Sequence, residues 1–554
     1  HGVHVLRPVY IDTLSSIMVL IVGIIGSGII VYACGYMRDF QHHQDELAAQ
    51  GKESAPDRQP VFFAVMFAFL SAMFGLVLFN NLMWMLTMWE VTTVCSFFLI
   101  GYTKTEEATA NSFRQIWMNM LGGIAFTLAL IYMGSQMHTL ELSTFVSRGG
   151  ASASLAMLPL ALLAFAALTK AAQMPFHTWL LGAMVAPTPT SALLHSSTMV
   201  KAGVFLLIRL SPLMGTYLAT GGNTTVLNPV GISVMLVGAT TFLVCSLIAI
   251  SQSNAKRVLA YSTVANLGLI VTCAGIGTAA AVWAGVFLLI FHAVAKSLLF
   301  LCVGTAEHHI GSRDIESMDA LVSRMPKLAC LMALGICGMF VAPFGMLISK
   351  WAALGAFIDS GVLVLIVMMG FGSAATFFFW AKWLGKILCN VQGQDNLERD
   401  VHKSEWAALA VMAFGVVALA VALPCVSSTI VAPYVKRLVG GSMLAPSPSD
   451  LAIMAVSAVV VVIVPLIVAL RAKKRSAAAE MPHLGGVGLS QTSFAGALGG
   501  EVSTAQRAWY MESIFDEKQL SRIGSIVCIL IALAGIACSV GLSYVFINLM
   551  GSVI

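Results

Sequence analysis

Long apolar runs cover most of this chain, and they constrain its fold more strongly than any other feature of the sequence. About 14 of them are long enough to cross a lipid bilayer as a helix. They lie at 11–36, 61–80, 82–101, 112–134, 155–181, 189–211, 231–250, 256–275, 281–304, 328–357, 361–388, 405–424, 450–471 and 522–548. Charged residues make up 10% of the chain, against about 25% in soluble proteins. The sequence therefore predicts an all-α polytopic membrane protein.

The order and composition of the spans divide the chain into regions. These are an N-terminal helix and cytoplasmic loop at 1–60, a first five-helix repeat at 61–211, an inverted second five-helix repeat at 231–388, two C-terminal helices at 405–471, a cytoplasmic loop at 472–521, and a final transmembrane helix at 522–554. The loop at 472–521 is expected to contain a short amphipathic helix over 504–520, lying on the membrane surface.

The repeat is predicted from the positions of two prolines. Pro175 and Pro343 each lie in the fourth span of a group of five, and each has a lysine nearby, Lys170 and Lys350 respectively. Proline interrupts the hydrogen bonds of a helix, so both spans are expected to be broken. Because five is an odd number, the second group must run inverted in the membrane. Inverted repeats with broken helices are typical of ion carriers.

The distribution of basic residues predicts the orientation. The loops after odd-numbered spans hold most of the lysines and arginines, including a cluster at 471–475. Cytoplasmic loops carry such an excess, so these large loops are predicted to be cytoplasmic and both termini to lie outside. The net charge of +5 is spread over short loops and does not indicate binding to nucleic acid.

Charged residues inside the spans indicate function. Lys170, Lys201, Lys296, Lys350 and Glu90 all lie within long apolar stretches. A charge at the bilayer centre costs about 2.5–3.5 kcal/mol on insertion scales, and such residues usually mark an ion or proton pathway. The alternative for Glu90 is a carboxylate that only packs helices together by hydrogen bonding.

Two histidines accompany these lysines. His292 precedes Lys296 by four residues, so both project from one helix face, which favours a hydrated proton relay over a core contact. His195 precedes Lys201 by six residues and is either a titrating group or a packing histidine.

Redox or metal chemistry is not expected in this chain. Its 11 cysteines are scattered and none forms a CxxC pair, so no iron–sulfur or zinc site is predicted. We predict no catalytic, cofactor-binding or metal-binding residue; any redox chemistry would belong to a partner.

Several motifs resemble the antiporter-like subunit family shared by respiratory complex I, Mrp-type cation/proton antiporters and membrane-bound hydrogenases. They are MWEVTTVCSFFLIGY (88–102), TKAAQMPFHTWLLGAMVAPTPTSALLHSSTMVKAGVFLLIRL (169–210), KRVLAYSTVANLG (256–268), FHAVAKSLLFLCVG (291–304) and PFGMLISKW (343–351). A further stretch, DTLSSIMVLIVG (12–23), resembles the family's third helix. The chain is therefore expected to start about two helices late relative to the family, either because it is trimmed or because those helices are absent.

The resemblance implies a function. The stretches MVKAGVFLLIRL and LISKW are most similar to the large membrane subunit of energy-converting group 4 [NiFe] hydrogenases, of the Ech or formate hydrogenlyase type. This implies a proton- or sodium-translocating subunit in a prokaryotic cytoplasmic membrane. The NiFe centre and iron–sulfur clusters would lie in peripheral partner subunits, with ferredoxin or formate dehydrogenase as indirect partners. The alternatives are a Mrp-type antiporter subunit, the distal proton-pumping subunit of complex I, and a passive membrane anchor.

The resemblance also implies roles for the charged residues. Glu90 would pair with Lys170, stabilise its protonated form and couple the chain to an adjoining subunit. Ions would then pass along a row in mid-membrane, with Lys350 as the exit; the row consists of Lys170, His195, Lys201, His292, Lys296 and Lys350.

Overall fold

The computed structural model describes residues 7–49, 57–149, 153–215, 217–220, 224–319, 321–341, 344–388, 397–440, 452, 456, 459–460, 467, 493–495, 501–503 and 510–551. In this part of the chain, twelve helical segments are long and apolar enough to cross a membrane. The predicted class, an all-α polytopic membrane protein, is confirmed.

The α-helices follow one another along the chain with short connections. Those of the first part are α1 (Thr13–Leu20), α2 (Gly26–Ala49), α3 (Gln59–Leu78), α4 (Leu82–Ile100), α5 (Glu106–Tyr132), α6 (Leu142–Gly149), α7 (Ala153–Lys170), α8 (His177–Gly182), α9 (Thr188–Ala192) and α10 (Met199–Leu210). The later ones are α11 (Pro229–Ser251), α12 (Ala255–Ile276), α13 (Ala279–Ile310), α14 (Leu321–Arg324), α15 (Pro326–Phe340), α16 (Gly345–Asp359), α17 (Leu363–Leu388), α18 (Lys403–Val426), α19 (Ala432–Val439) and α20 (Glu517–Gly551).

Strands form two small antiparallel hairpins. The first pairs β1 (Tyr217–Thr220) with β2 (Thr224–Leu227), and the second pairs β3 (Ser493–Ala495) with β4 (Glu501–Ser503). Both are short and contribute little to an otherwise helical molecule.

Wider helical turns extend or join several α-helices. Five-residue π-helical segments lie at Ile21–Ile25, Met133–Met137, Leu193–Ser197 and Ser427–Val431. The first joins α1 and α2 into one membrane span, Thr13–Glu46. The segment Leu193–Ser197 interrupts the helix that carries Lys201, which the sequence did not predict, and such π segments are frequent at functional sites.

Most helices extend beyond the spans predicted from apolar residues. The span predicted at 281–304 is the helix Ala279–Ile310, and the one at 112–134 is the helical segment Glu106–Met137. Hydropathy detects only the part of a helix that lies in hydrocarbon, whereas polar turns continue at the ends. The span predicted at 450–471 lies almost entirely outside the described residues.

The amphipathic helix predicted over 504–520 is not present in its described part. Residues 512–515 form a turn and bend, and α20 begins at Glu517. The carboxylate of Asp516 accepts a hydrogen bond from the backbone N–H of Gln519 at 2.7 Å, so Asp516 caps the first turn of α20. Residues 517–520 therefore belong to the final membrane helix.

The centre of the bundle is formed by α12 and α13. The apolar stretch of α12 is buried along its whole length, and that of α13 along almost all of it. The outer helices α17 and α18 instead expose large apolar side chains, among them Phe371 and Phe414, as expected of surfaces that face lipid. Helix α20 packs against α7 and α11 of the same chain. Charged side chains on α10, α12 and α13 are therefore shielded from lipid.

Candidate ion-translocation site

The first predicted broken helix is broken as expected. Helix α7 ends at Lys170, residues 171–176 are not α-helical, and α8 begins at His177, with Pro175 inside the interruption. The indole N–H of Trp179 donates to the carbonyl oxygen of Thr169 at 3.0 Å, which satisfies one acceptor freed by the break. The break thus places the Lys170 side chain at an irregular, polar point inside the bundle.

The ammonium group of Lys170 is fully buried and is held by α4. Its Nζ donates to the carbonyl oxygen of Trp89 at 2.8 Å and to the hydroxyl of Thr93 at 2.6 Å. It also lies 5.2 Å from the centroid of the Trp89 ring. These contacts replace the water that a charged lysine loses on burial.

Glu90 is next to these partners but does not form a direct ion pair with Lys170 among the described residues. Trp89 and Thr93 are four residues apart and share one helix face, whereas residue 90 is rotated by about 100° around α4. The Glu90 carboxylate lies against α5, where a Cβ on Gly123 would stand 2.2 Å from Oε1. It remains near enough to act on Lys170 electrostatically. Glu90 therefore interacts with Lys170 electrostatically over a distance, and not as the direct ion pair that was predicted.

A second group of charges lies between α10 and α13. The Nζ atom of Lys201 is 2.5 Å from Nδ1 of His292, and both side chains are fully buried. A lysine ammonium group donates a hydrogen bond to an unprotonated imidazole nitrogen, so the two side chains are directly linked. The structure thus brings together two residues that the sequence placed in the same row.

Lys296 lies one turn beyond His292 on α13 and faces different partners. Its Nζ donates to the carbonyl oxygen of Leu259 at 2.9 Å and to the hydroxyl of Ser262, both on α12. It lies 4.9 Å from the centroid of the Trp380 ring. Lys296 is therefore close in sequence to the Lys201–His292 pair but is held by a separate set of polar atoms.

His195 lies in the π-helical segment and makes one clear packing contact. Its ring centroid is 4.9 Å from that of Phe300 on α13. The side chain is fully buried, and the backbone of Leu180 is a polar neighbour of the ring. The contact with Phe300 fits a packing histidine, and the nearness of Lys201 and Lys296 fits a titrating group.

Lys350 lies on α16, after the second interruption. Helix α15 ends at Phe340 and α16 begins at Gly345, while Pro343 lies outside the described residues. The side chain of Lys350 is buried, and its Nζ lies 5.9 Å from the centroid of the Phe242 ring. Lys350 is close enough to Lys296 for the two charges to interact.

The predicted residues therefore fall into two groups. Glu90 and Lys170 lie at the contact of α4, α5 and α7, whereas the remaining lysines and histidines meet around α13. Lys296 is close enough to both Lys201 and Lys350 for their charges to interact, so the lysines of the second group are electrostatically coupled. The described residues contain no group of three or more histidine, cysteine or acidic side chains suited to a metal ion.

Sequence analysis missed buried acids near the helix ends. Glu307 forms a 2.7 Å ion pair with Lys256 and also contacts Arg313. Glu405 is 2% exposed and accepts a hydrogen bond from Thr305 at 2.7 Å. Because both acids lie at or beyond the ends of the apolar stretches, hydropathy assigned them to loops or helix ends. Only the packing of neighbouring helices shows that they are enclosed.

Two protein-family models match this sequence. Residues 79–376 match the NADH:quinone oxidoreductase/Mrp antiporter transmembrane family. Residues 2–45 match the N-terminal family of NADH-ubiquinone oxidoreductase (complex I) chain 5.

Two relatives show the extent of the similarity. A Staphylococcus epidermidis protein, named as a candidate antiporter subunit mnhA2, is 33% identical over 423 residues, covering 71% of this chain and 49% of the relative. A Rhizobium meliloti protein, named as a probable K⁺/H⁺ antiporter subunit, is 40% identical over 290 residues, covering 52% of this chain and 28% of the relative. The chain thus spans about half or less of these relatives.

Two solved structures share the fold. A chain in the Mrp complex from Dietzia sp. aligns with a TM-score of 0.65 and 27% identity, over 82% of this chain and 48% of that chain. A chain of the membrane-bound sulfane sulfur reductase, an archaeal respiratory membrane complex, aligns with a TM-score of 0.61 and 22% identity, over 68% of this chain and 75% of that chain. This multi-pass membrane protein therefore belongs to the NADH:quinone oxidoreductase/Mrp antiporter family of antiporter-like membrane subunits.

Proposed function

We propose that this chain is an ion-translocating subunit of a Mrp-type cation/proton antiporter that works together with other membrane subunits. The observation that carries the proposal is the buried contact of Lys201 with His292, with Lys296 one turn away. Charged side chains inside a membrane are costly, and those that a protein retains usually mark an ion or proton pathway.

The names of the relatives favour the antiporter over the hydrogenase subunit predicted from local motifs. Both relatives are named as antiporter subunits, and one aligned structure is a Mrp complex. The similarity to hydrogenase subunits rested on the short stretches MVKAGVFLLIRL and LISKW. We therefore favour an antiporter subunit over a subunit of a redox-driven complex with NiFe and iron–sulfur partners.

The geometry supports a relay in which each charged residue influences its neighbour in the row. Glu90 lies near enough to Lys170 for their opposite charges to attract, so movement of that carboxylate would change the electrostatic environment of the lysine. Lys201 and His292 are hydrogen-bonded, and both lie close enough to Lys296 for like charges on these groups to repel one another. Protonation of one group therefore promotes release from the next.

A passive anchor explains these features less well. An anchor needs only apolar faces toward lipid and toward its partners, and a fully buried lysine weakens such a helix. This chain keeps Lys170, Lys201 and Lys296 at zero exposure and builds hydrogen-bond partners around each of them.

The test is cation-driven proton exchange in everted membrane vesicles that contain the chain and its natural membrane partners. A pH-sensitive dye reports exchange after addition of sodium or potassium chloride, in separate runs. We expect Lys296→Ala to abolish exchange, whereas Lys436→Ala, at an exposed lysine, should retain it. Exchange that survives Lys296→Ala unchanged would exclude the relay, and a wild-type complex without exchange would exclude the antiporter.

A further inference from the structure

A line of buried hydroxyl and carboxyl groups lies at the predicted cytoplasmic ends of α2, α13 and α18. Glu405 is in the first turn of α18, yet it is 2% exposed. The hydroxyl of Thr305 on α13 donates to its Oε2 at 2.7 Å. The same hydroxyl is 3.0 Å from the phenolic oxygen of Tyr32 on α2. Three helices thus contribute one continuous hydrogen-bonded series.

The series begins close to solvent. Nε2 of His402 is 2.7 Å from the carboxylate of Asp39, and Nε2 of His308 is 3.9 Å from the same carboxylate. These three side chains are 25–34% exposed, in contrast to Glu405. The charged and titratable groups that act on Glu405 are Asp39 on α2, His309 on α13 and His402 before α18. Partly exposed titratable groups therefore lie close enough to Glu405 to act on its charge.

The inner end of the series lies beside the relay. The hydroxyl of Tyr32 is 3.2 Å from the carbonyl oxygen of Leu301, and the neighbouring residue Phe300 packs against His195. Tyr32 approaches α13 closely because residue 304 is glycine: a Cβ there would stand 2.8 Å from the Tyr32 oxygen. The fully buried Tyr32 thus contacts α13 next in sequence to the residue against which His195 packs.

Unpartnered groups continue from that contact. The buried hydroxyls of Thr190 and Ser197, on the same segment of chain as His195, have no hydrogen-bond partner among the described residues. His195 itself is fully buried and has the backbone of Leu180 as a polar neighbour. Thr190 lies on α9 and Ser197 in the π-helical segment, and both elements pack against α2 and α13. These hydroxyls are therefore placed to carry hydrogen bonds from Tyr32 towards His195.

We propose that Glu405, Thr305 and Tyr32 form a proton-uptake path from the predicted cytoplasmic side to His195. The proposal rests on the antiporter function and adds the route by which the relay is loaded. The Thr305 hydroxyl, which donates to Glu405 in the structure, first turns its hydrogen towards Tyr32. Protonated Glu405 then gives its proton to the Thr305 oxygen while Thr305 passes its own proton to Tyr32. Tyr32 in turn releases one proton toward His195. Each hydroxyl gains one proton as it gives one, and Glu405 is reloaded from the Asp39–His402 group.

The purely structural alternative is that Glu405 joins α18 to α13. That role depends on the hydrogen bond from Thr305, which a glutamine at position 405 still accepts. Glu405→Gln therefore keeps the contact but removes the exchangeable proton of the carboxyl group. Tyr32→Phe keeps the ring in place and removes only the hydroxyl.

The experiment uses the complete antiporter complex in everted vesicles, with the cytoplasmic face outward, and measures the rate of cation-driven exchange at acidic and alkaline pH. We expect Glu405→Gln and Tyr32→Phe to slow exchange by about tenfold or more. The loss should be greater at alkaline pH, where fewer protons are available for uptake. Glu398→Gln, at another buried acid, and Tyr434→Phe, at a buried tyrosine outside the series, are the matched controls and should keep the wild-type rate and pH profile.

The outcomes separate this path from the proposed function. Normal exchange in the wild type, with wild-type rates and pH profiles in both path variants, would overturn the path and leave the antiporter standing. Absence of exchange in the wild type would overturn the antiporter and the path with it. If Glu405→Gln fails to assemble, as judged by size-exclusion chromatography, Tyr32→Phe decides the result.

Discussion

Lys201 and His292 meet inside the bundle with their nitrogens 2.5 Å apart, although 91 residues separate them in sequence. Their helices, α10 and α13, come from different predicted repeats. The contact therefore links the two predicted repeats within the group of charges around α13. Its loss should interrupt ion movement without exposing the surrounding helices to lipid.

His292→Ala tests this contact directly. It removes the acceptor of Lys201 and leaves a buried ammonium group without that partner, so we expect exchange to fall by at least about 100-fold. The measurement is the initial rate of cation-driven proton exchange in vesicles, normalised to the amount of assembled complex. His43→Ala, at an exposed histidine of α2, serves as the control and should behave as wild type. An equal rate in the two variants would remove His292 from the relay.

Thr93→Val tests the site that holds Lys170. Valine has nearly the shape of threonine but lacks the hydroxyl that accepts from Lys170 Nζ at 2.6 Å. The loss of one hydrogen bond to a buried charge should destabilise the protein by about 1–3 kcal/mol and slow exchange. Thermal unfolding in detergent and vesicle assays measure the two effects. Thr87→Val on the exposed side of the same helix should change neither, and similar results for both positions would show that the hydroxyl of Thr93 is not important.

Gly123→Ala tests the position of the Glu90 carboxylate. A Cβ at residue 123 would stand 2.2 Å from Oε1 of Glu90, so the carboxylate must move away and its influence on Lys170 must change. We expect slower exchange in a complex that still assembles. Gly370→Ala on α17 is the control, because nothing lies within 4 Å of the added carbon. If Gly123→Ala exchanges ions at the wild-type rate, the position of Glu90 does not govern Lys170.

Arg209→Ala tests a structural ion pair at the other end of the bundle. Arg209 Nη2 lies 2.7 Å from the carboxylate of Asp12, which also accepts from the backbone N–H of Ser15 and caps α1. Removing one partner of such an enclosed pair should lower the free energy of unfolding by about 3 kcal/mol. Thermal unfolding in detergent measures the loss. Arg437→Ala, at an exposed arginine of α19, should cause a much smaller change, and comparable losses in both variants would contradict a stabilising role for the pair.

The membrane class and most helix positions could be predicted from the sequence because they depend on local properties. A run of about 20 apolar residues must cross the bilayer as a helix, since backbone groups find no partners in lipid. Pro175 marked the first break for a similarly local reason, because it lacks a backbone donor. The inverted relation of the two repeats and the orientation of the chain stay predictions.

The partners of the charged residues could not be predicted in this way. Glu90 was expected to pair with Lys170, yet the hydrogen bonds of the lysine go to Trp89 and Thr93, which share a face of α4 that residue 90 does not. Glu405 was assigned to the edge of a span, and the packing of α2 and α13 encloses it.

The sequence by itself determined that this chain crosses the membrane many times and carries charges where lipid would otherwise require apolar residues. The tertiary structure decided which of those charges meet. Hydropathy and proline determine local structure within a few residues of the chain. The contact of Lys201 with His292 instead depends on how whole helices rotate and pack against one another.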